Sequence, residues 1–550
     1  RGKAPRYYSP ATQRDPVTGE LILTVLSEGD EFLGYERWED YGNYSTYLEG
    51  NITYDQRFGN HSVSALLLYN QRNYDDGDQV PYRTQGFAGR AAYTYADRYI
   101  AEFNFGYNGS ENFAKGNRFG FFPSIAAGWI VSEEEFMRPV QNYINKLKLR
   151  ASYGLAGNDR FYNDDGSQKR FAYITTIGST DGYKWGNSNA FYEKGGLREG
   201  DPGVESLTWE TVKKANVGIE LGLFKMAELQ VDFFHERRED IFMQRKNIPS
   251  SAGFPSAPWA NYGIVTNKGF DISLDLNKQI NKDWFISARA SVTYAKNKII
   301  EQDEDLGVLG TYRSSTGKPV GQIFGLVNDG LYTEADFEDV TTGKLKPGLP
   351  VPKFSDRVYP GDIKYLDLNG DNEITETDKT AIGGTVNPEL VYGFGINLSY
   401  KNIDFGAFFQ GNGRTYRIIG ENQKNFLPGS TIGAEGNIFT NASDAWTVDN
   451  PSQDVFYPRL HMGYNANNAQ VSDWWLKDMS MLRLKNVELG YSFSKNLIKK
   501  AAMEYARIFV RGTNLLQFSK FDLWDPELNT SNGLKYPIMA TYSIGLQVRF

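Results

Sequence analysis

The sequence predicts an all-β protein of one particular kind, a transmembrane antiparallel β-barrel with long extracellular loops. Three observations lead there. Segments of about ten residues alternate apolar and polar along most of the chain, as a strand with one lipid face and one lumen face must. The connections between those segments are alternately long and short. Composition then closes off the other classes. The chain has 550 residues, 15% of them aromatic, with 56 Gly, a net charge of −8 and a mean hydropathy of −0.51. No run approaches the roughly 18 apolar residues of a membrane-crossing helix. With 35 Tyr, 35 Phe and 10 Trp the chain has ample surface to bury, which excludes disorder. Zero cysteine removes disulfide scaffolds, Cys-zinc sites and thiol catalysis. An acidic balance without basic blocks argues against nucleic acid as a partner.

The final strand shows the pattern most plainly. Tyr542, Ile544, Leu546, Val548 and Phe550 fall on one face, and Ser543, Gly545, Gln547 and Arg549 on the other. Tyr542, Gly545, Val548 and Phe550 are therefore read as a barrel-terminal strand with an aromatic at its end. The same period recurs at Tyr99, Ala101, Phe103, Phe105 and Tyr107, at Phe270, Ile272, Leu274 and Leu276, at Ile286 through Tyr294, and at Tyr392 through Tyr400. A soluble sandwich alternates too, so the strands alone do not choose the solvent.

Loop lengths choose it. Reading back from the end, 518–536 is long, 494–503 short, 414–476 very long and 400–403 tight. Then 305–388 is very long, 278–282 short, 243–265 long and 224–226 short. Farther back, 157–208 is long, 136–145 modest, 109–119 long, 96–97 tight, 73–83 long and 57–60 tight. Short periplasmic turns facing long extracellular loops explain that parity, and a soluble barrel or propeller has no reason to keep it. The pattern gives about 15 strands from residue 43 onward, and one more around 21–34.

Several segments resemble one family. FAKGNRFGFFPSIAAGW at 113–129, KLKLRASYG at 146–154 followed by Gly157-Asn158, and NKGFD at 267–271 resemble signatures of TonB-dependent outer-membrane transporters. LRLKNVELGY at 482–491, GTNLL at 512–516 and Trp524-Asp525-Pro526-Glu527 resemble the SusC/RagA branch, the nutrient importers of Bacteroidetes. The resemblance covers essentially the whole chain, with the motifs in order. It implies active import of a large nutrient, an oligosaccharide or a peptide, beneath a SusD-like surface lipoprotein that acts as a lid. It also implies an N-terminal plug contacted by TonB, a setting of lipid bilayer and LPS, and two transporter–lid pairs per assembly. A barrel of this family has about 22 strands. Residues 1–42, the start of the fragment, look nothing like a plug. The expectation is that 43–550 is the C-terminal part of a longer polypeptide whose other part supplies the plug and the first strands, because open edges in lipid are not viable.

One local constellation could hold a metal. Asp367, Asn369, Asp371, Glu373, Thr375 and Asp378 stand at positions 1, 3, 5, 7, 9 and 12 of a Ca²⁺ loop of EF-hand or dockerin type, in which oxygen donors converge within one turn. Asn372 replaces the usual Gly at position 6 and Asp378 the usual Glu at position 12. The plain alternative is an acidic turn displaying its carboxylates to water. Loop aromatics Trp185, Trp259, Tyr262, Trp446 and Trp474 could stack on cargo, or simply pack. Trp129 and Trp284 are expected in the aromatic girdle.

Enzymatic signatures are missing from the sequence. His61, His235 and His461 have no partner nearby in sequence, and there is no HExxH, P-loop, nucleophile elbow or dinucleotide fingerprint. Asp525 and Glu527 look superficially like a glycosidase pair, but turn chemistry explains them. The 305–388 loop shows too little periodicity for an independent core. The rival readings are a passive structural, adhesion or porin-like barrel, and a soluble β-rich carbohydrate-binding protein.

Overall fold

The computed structural model describes residues 7–8, 14–22, 25–27, 42–75, 77, 80–163, 165–187, 190–420, 426–429, 439–499 and 502–550. By contact the chain divides into two units, Arg1–Leu48 with Gln71–Thr84, and Glu49–Asn70 with Gln85–Phe550. In the first, Tyr7–Tyr8 pairs with Val25–Ser27 in a two-stranded ladder, and Arg14 bridges to Leu21 across a turn. Most of the strand expected over 21–34 lies outside the described residues.

Fifteen strands then form one antiparallel meander in strict chain order. They are β1 (Tyr44–Phe58), β2 (His61–Asp75), β3 (Tyr82–Tyr95), β4 (Tyr99–Ser110), β5 (Phe119–Ile130), β6 (Ile144–Asn158), β7 (Glu210–Leu223) and β8 (Ala227–Gln244). The meander continues with β9 (Trp259–Gln279), β10 (Trp284–Glu301), β11 (Leu390–Tyr400), β12 (Ile403–Gly413), β13 (Met481–Ser492), β14 (Tyr505–Ser519) and β15 (Thr541–Arg549). Loop parity is as the sequence predicts, since one end of the meander carries turns and the other carries the long excursions. No described helix is long and apolar enough to cross a membrane.

Register sorts the two faces. Tyr99, Trp129 and Leu149 are opposed across β4, β5 and β6, as are Phe103, Ile125 and Tyr153, which makes one face a continuous apolar, exposed surface. Arg150, Gly218 and Asp232 oppose one another on the other face, so a one-residue slip would put an ion pair into the apolar surface. At the turn end, aromatics cluster beside the hairpins. Trp284 meets Tyr400 at 4.5 Å, Tyr143 meets Phe224 at 6.1 Å, and Tyr99 stacks on Trp129 at 6.4 Å between ring centroids. Such rings suit the headgroup level of a bilayer. In β15, Gly545 leaves room for the Phe509 ring, which lies where a Cβ would stand.

The loop end differs from the sequence expectation. Residues 305–388 do have a core, but they share it. Leu326, Leu331, Ile363, Tyr365 and Ile374 pack with Ile419, Phe426, Trp446, Tyr457, Trp475 and Met479 from the next long loop, and with Phe521 beyond β14. Leu326, Ile363, Ile374 and Tyr457 are fully buried, and each such side chain contributes roughly 1.5–3 kcal/mol. A core gathered from three loops needs no periodicity within any one of them. A second core joins Phe113, Phe161, Leu207, Trp209 and Phe242, with Phe122 and Trp259 against it.

Two adjacent carboxylates pin the base of the largest loop where it leaves β10. Asp303 accepts from Arg245 Nε at 2.8 Å, Lys246 N at 2.7 Å and Asn247 Nδ2 at 2.9 Å. Glu304 accepts from the hydroxyls of Ser314, Ser315 and Thr316. Burial alone would raise both carboxyls, but these donors outweigh it and hold each at about 2.

Candidate functional site: the polar wall and the loop face

The polar face of the sheet is a wall of cross-strand ion pairs. Lys146, Lys148 and Arg150 surround Glu220 at 2.9, 3.3 and 3.5 Å, and Arg150 also holds Asp232 at 2.6 Å. Farther along, Lys214 meets Glu236 at 3.0 Å, Arg289 meets Asp275 at 2.5 Å, and Glu488 is held by Arg507 at 2.6 Å and Arg511 at 2.5 Å. Opposite charges on directly opposed or diagonal positions fix strand register. Where water reaches them they stabilise only weakly, about 0–1 kcal/mol each.

Among the described residues, this wall has two hollows of note. The larger, about 750 Å³, is lined by Gly395, Asn397, Gly406 and Phe408, with Arg289, Glu488 and Arg511 beside them. Gly406 makes the depth there, because a Cβ would stand 2.7 Å from Asn397 Oδ1. The smaller, about 360 Å³, lies between Lys214, Glu236, Arg238 and Asn267 of the wall and Val320, Asn387 and Glu389 of the loop region.

Asp525 and Glu527 are not a free carboxylate pair. Arg483, with its side chain only 4% exposed, is hydrogen-bonded to Asp525 and stands 3.0 Å from Glu527, while Lys485 holds Glu527 at 3.0 Å. The 520–540 loop is thereby clamped to the start of β13. Two of the histidines also have partners that sequence proximity hides. His461 Nε2 lies 2.5 Å from Oδ1 of the fully buried Asp362, which also accepts from Asn468 Nδ2 at 2.8 Å. His61 Nδ1 lies 2.7 Å from the Tyr93 hydroxyl. His235 lies within β8 opposite Ala215 and Lys268.

The 367–378 loop has a definite internal geometry. Asp367 accepts from Gly370 N at 2.7 Å and Asn372 N at 2.8 Å. Asp378, fully buried, accepts from Leu368 N at 2.9 Å and Thr375 N at 2.8 Å. Asn372 takes the left-handed conformation, φ 63°, that position 6 requires. Asn369 donates to Asp371 and Thr377, Glu373 pairs with Lys353 at 2.8 Å, and the Thr375 and Thr377 hydroxyls meet at 2.6 Å. Among the described residues no group of three or more Asp, Glu, His or Cys side chains is drawn together as a metal cluster. Asp367, Asp371 and Asp378 are engaged by the loop's own amides.

The loop aromatics separate sharply. Trp446 is 7% exposed, packed in the shared core against Gly361 and under Arg459, so it is a core residue and not a surface for cargo. Trp474 packs at the same core and donates to Phe456 O at 3.1 Å. Trp259 stacks on Phe242 at 4.5 Å and lies under Lys169, and Tyr262 lies under Arg245 at 4.4 Å. Trp185 is 46% exposed on a hairpin of Ile177–Asn187 with Ala190–Glu199, beside Tyr183 at 5.4 Å and Tyr192 at 4.9 Å. In β15 Tyr542 opposes Gly512, Gly545 opposes Phe509 and Val548 opposes Ala506, with Phe550 81% exposed just beyond it.

Comparison with known proteins decides what this wall is part of. The chain is 27% identical over 587 residues to TonB-dependent receptor P3 of Formosa agariphila, covering 97% of this chain and 55% of that receptor. To receptor P26 of the same organism it is 30% identical over 506 residues, 87% of this chain and 47% of the relative. The chain is similar to TonB-dependent receptors along most of its length. SusC of Bacteroides thetaiotaomicron, a TonB-dependent receptor, is 24% identical over 86% of this chain and 45% of its own length. Among solved structures, the RagAB peptide transporter superposes with a TM-score of 0.70 at 21% identity over 92% of this chain and 55% of that one. No protein-family model matches. The chain spans about half the length of the curated relatives it matches. The sheet is thus outer-membrane β-barrel wall, with the apolar face toward lipid and the ion-paired face toward the lumen.

Proposed function

We propose that the protein carrying this chain imports a large nutrient, an oligosaccharide or a peptide, across the outer membrane in a TonB-dependent manner. The observation that carries the reading is similarity to TonB-dependent receptors across 97% of the chain. The geometry accords with it, since an ion-paired lumen wall continues into a loop region with its own cores. In this reading a SusD-like lipoprotein closes over the loops, two such pairs assemble in a bilayer faced by LPS, and TonB acts on a plug contributed outside this chain. Further strands pair the edges of β1 and β15, because unpaired amides in hydrocarbon cost several kcal/mol each.

Deleting the 157–208 loop from the full-length protein, with barrel assembly checked by heat-modifiable gel mobility, tests the lid. Co-purification of the lipoprotein should be lost. Uptake should also stop when the inner-membrane proton gradient is collapsed. Unchanged co-purification refutes the lid contact, and uptake indifferent to the gradient refutes TonB dependence in favour of a passive barrel. Calcium in the 367–378 loop is a separate proposal, resting on the order of its oxygens and the left-handed Asn372; ion entry would draw Asp367, Asp371 and Asp378 together. Terbium luminescence sensitised by Tyr312, whose hydroxyl donates to Thr377 O at 2.7 Å, reads it, and absence of signal refutes it.

A further inference from the structure

The connection between β5 and β6, residues 131–143, is built unlike the two-residue turns at Ala96-Asp97 and Phe224-Lys225 at the same end of the sheet. It contains two 3₁₀ turns, Val131–Glu133 and Glu135–Val140. Between them Glu134 is 9% exposed and is held by three donors, Tyr99 OH at 2.6 Å, Trp129 Nε1 at 3.0 Å and Arg98 at 3.1 Å. Those contacts fix where the connection goes. Tyr99 and Trp129 belong to the apolar face, in register with Leu149, so a carboxylate reached by both rings lies on the lipid side of the strand ends and not on the lumen side.

The rest of the segment matches that placement. Met137 is buried and Gln141 Nε2 donates to Ser132 O at 3.1 Å, which folds the segment on itself. Phe136 and Tyr143 are 65% and 62% exposed, and Val140 is also exposed. The face that Glu134 reaches already carries a series of rings, His61, Tyr95, Tyr99 and Trp129 in sequence, and Tyr143 stands edge-on to Phe224. Short amphipathic elements with aromatic and aliphatic side chains on one side lie in the plane of the headgroup region, and aromatic rings favour that level.

We infer that residues 131–143 form a membrane foot, an interfacial element tethered by Glu134 to the outer-face aromatics, whose Phe136, Val140 and Tyr143 enter the periplasmic leaflet. The occupant is phospholipid, because the segment is anchored through Glu134 to Tyr99 and Trp129, two rings of the lipid-facing belt. Two of the segment's three carboxylates have cations beside them, Glu134 with Arg98 at 3.1 Å and Glu135 with Arg138 at 3.5 Å, and Glu133 is left exposed to face the headgroup layer or water. The inference rests on the outer-membrane fold and is independent of what the barrel carries.

The chain has no cysteine, so a single label can be placed at will. The test uses the full-length protein, on a background free of other cysteines, carrying F136C or V140C labelled with an environment-sensitive fluorophore. It is reconstituted in phosphatidylethanolamine–phosphatidylcholine vesicles with or without a lipid nitroxide placed shallow in the acyl chain. F103C on the lipid face of β4 and N104C on its lumen face are the reference positions. Labels at 136 and 140 should be blue-shifted and lose fluorescence to the lipid nitroxide, as at 103, while iodide in the buffer leaves them little changed. Labels quenched by iodide and indifferent to the nitroxide overturn the inference. Labels sheltered from both overturn it as well, since a protein surface then covers the patch.

Discussion

Replacing Arg483 with Met leaves a side chain of similar length in the same pocket and strands two carboxylates. Arg483 is hydrogen-bonded to Gln517 Oε1 at 2.8 Å and to Asp525, and it is 3.0 Å from Glu527. Breaking a buried ion pair by removing one partner costs about 3–5 kcal/mol. The lower end applies here, because Glu527 keeps Lys485 at 3.0 Å and Asp525 still accepts from Glu527 N at 3.0 Å. About 3 kcal/mol corresponds to roughly a hundredfold shift in the opening equilibrium of the loop. Hydrogen exchange on the detergent-solubilised full-length protein reads this directly. Amides of Leu528 and Asn529, bonded to Asp525 O and Pro526 O, should exchange roughly a hundredfold faster. Sheet amides of β13 and β14 should be unchanged. The triple variant R483M/D525N/E527Q, with no stranded carboxylate, should recover most of the protection. Unchanged exchange at 528–529, or acceleration spread evenly through the sheet, would refute the view that this cluster is a local clamp.

Three further outcomes follow from the loop region. Gly361→Ala combines a left-handed φ of 93° with a Cβ placed against the Trp446 ring, so the loop core should lose at least about 2 kcal/mol, read as a lower melting temperature in near-ultraviolet circular dichroism. Trp446→Ala should cost about 3–5 kcal/mol in the same assay, whereas Trp185→Ala on its exposed hairpin should stay within about 0.5 kcal/mol. Asp303→Asn removes the charge partner of Arg245 and should loosen the loop base by about 1–3 kcal/mol, seen as faster proteolysis near 305. The sign of the pH effect follows from the lowered carboxyls. Asp303 and Glu304 titrate near 2 in the fold and near 3.8 and 4.5 otherwise. Their contribution is complete above those ordinary values and is lost as pH falls from about 4.5 to about 2. Loop melting measured down that range should show the loss in wild type and less of it in the Asp303→Asn/Glu304→Gln double variant.

How much of this was legible in the sequence depends on how local the cause is. Strand alternation is enforced residue by residue by lipid on one face and water on the other, so β4, β9, β10, β11 and β15 are readable from period alone. Turn lengths are equally local. The shared loop core is not, because its members meet across long separations, as when the Ile363 amide donates to Asn468, 105 residues away. No short window records such a pairing, and Trp446 therefore reads as a free aromatic when its surroundings are in fact Gly361 and Arg459. The same applies to Asp362 with His461, and to Arg483 with Asp525. The Asn372 conformation was legible, since Asn at a turn position demanding positive φ is a local choice.

The paired charges of the lumen wall have a consequence for anything that passes it. Arg289 and Lys214, for example, each have an anion within 3.0 Å, so the fields of the two charges in such a pair largely cancel over the span of a few water molecules. A solute moving along such a surface meets a succession of small dipoles of alternating direction. Its residence time at any one point stays short, and a charged group on it gains little by stopping. A surface of paired charges of this kind therefore discriminates little between solutes by the sign of their charge.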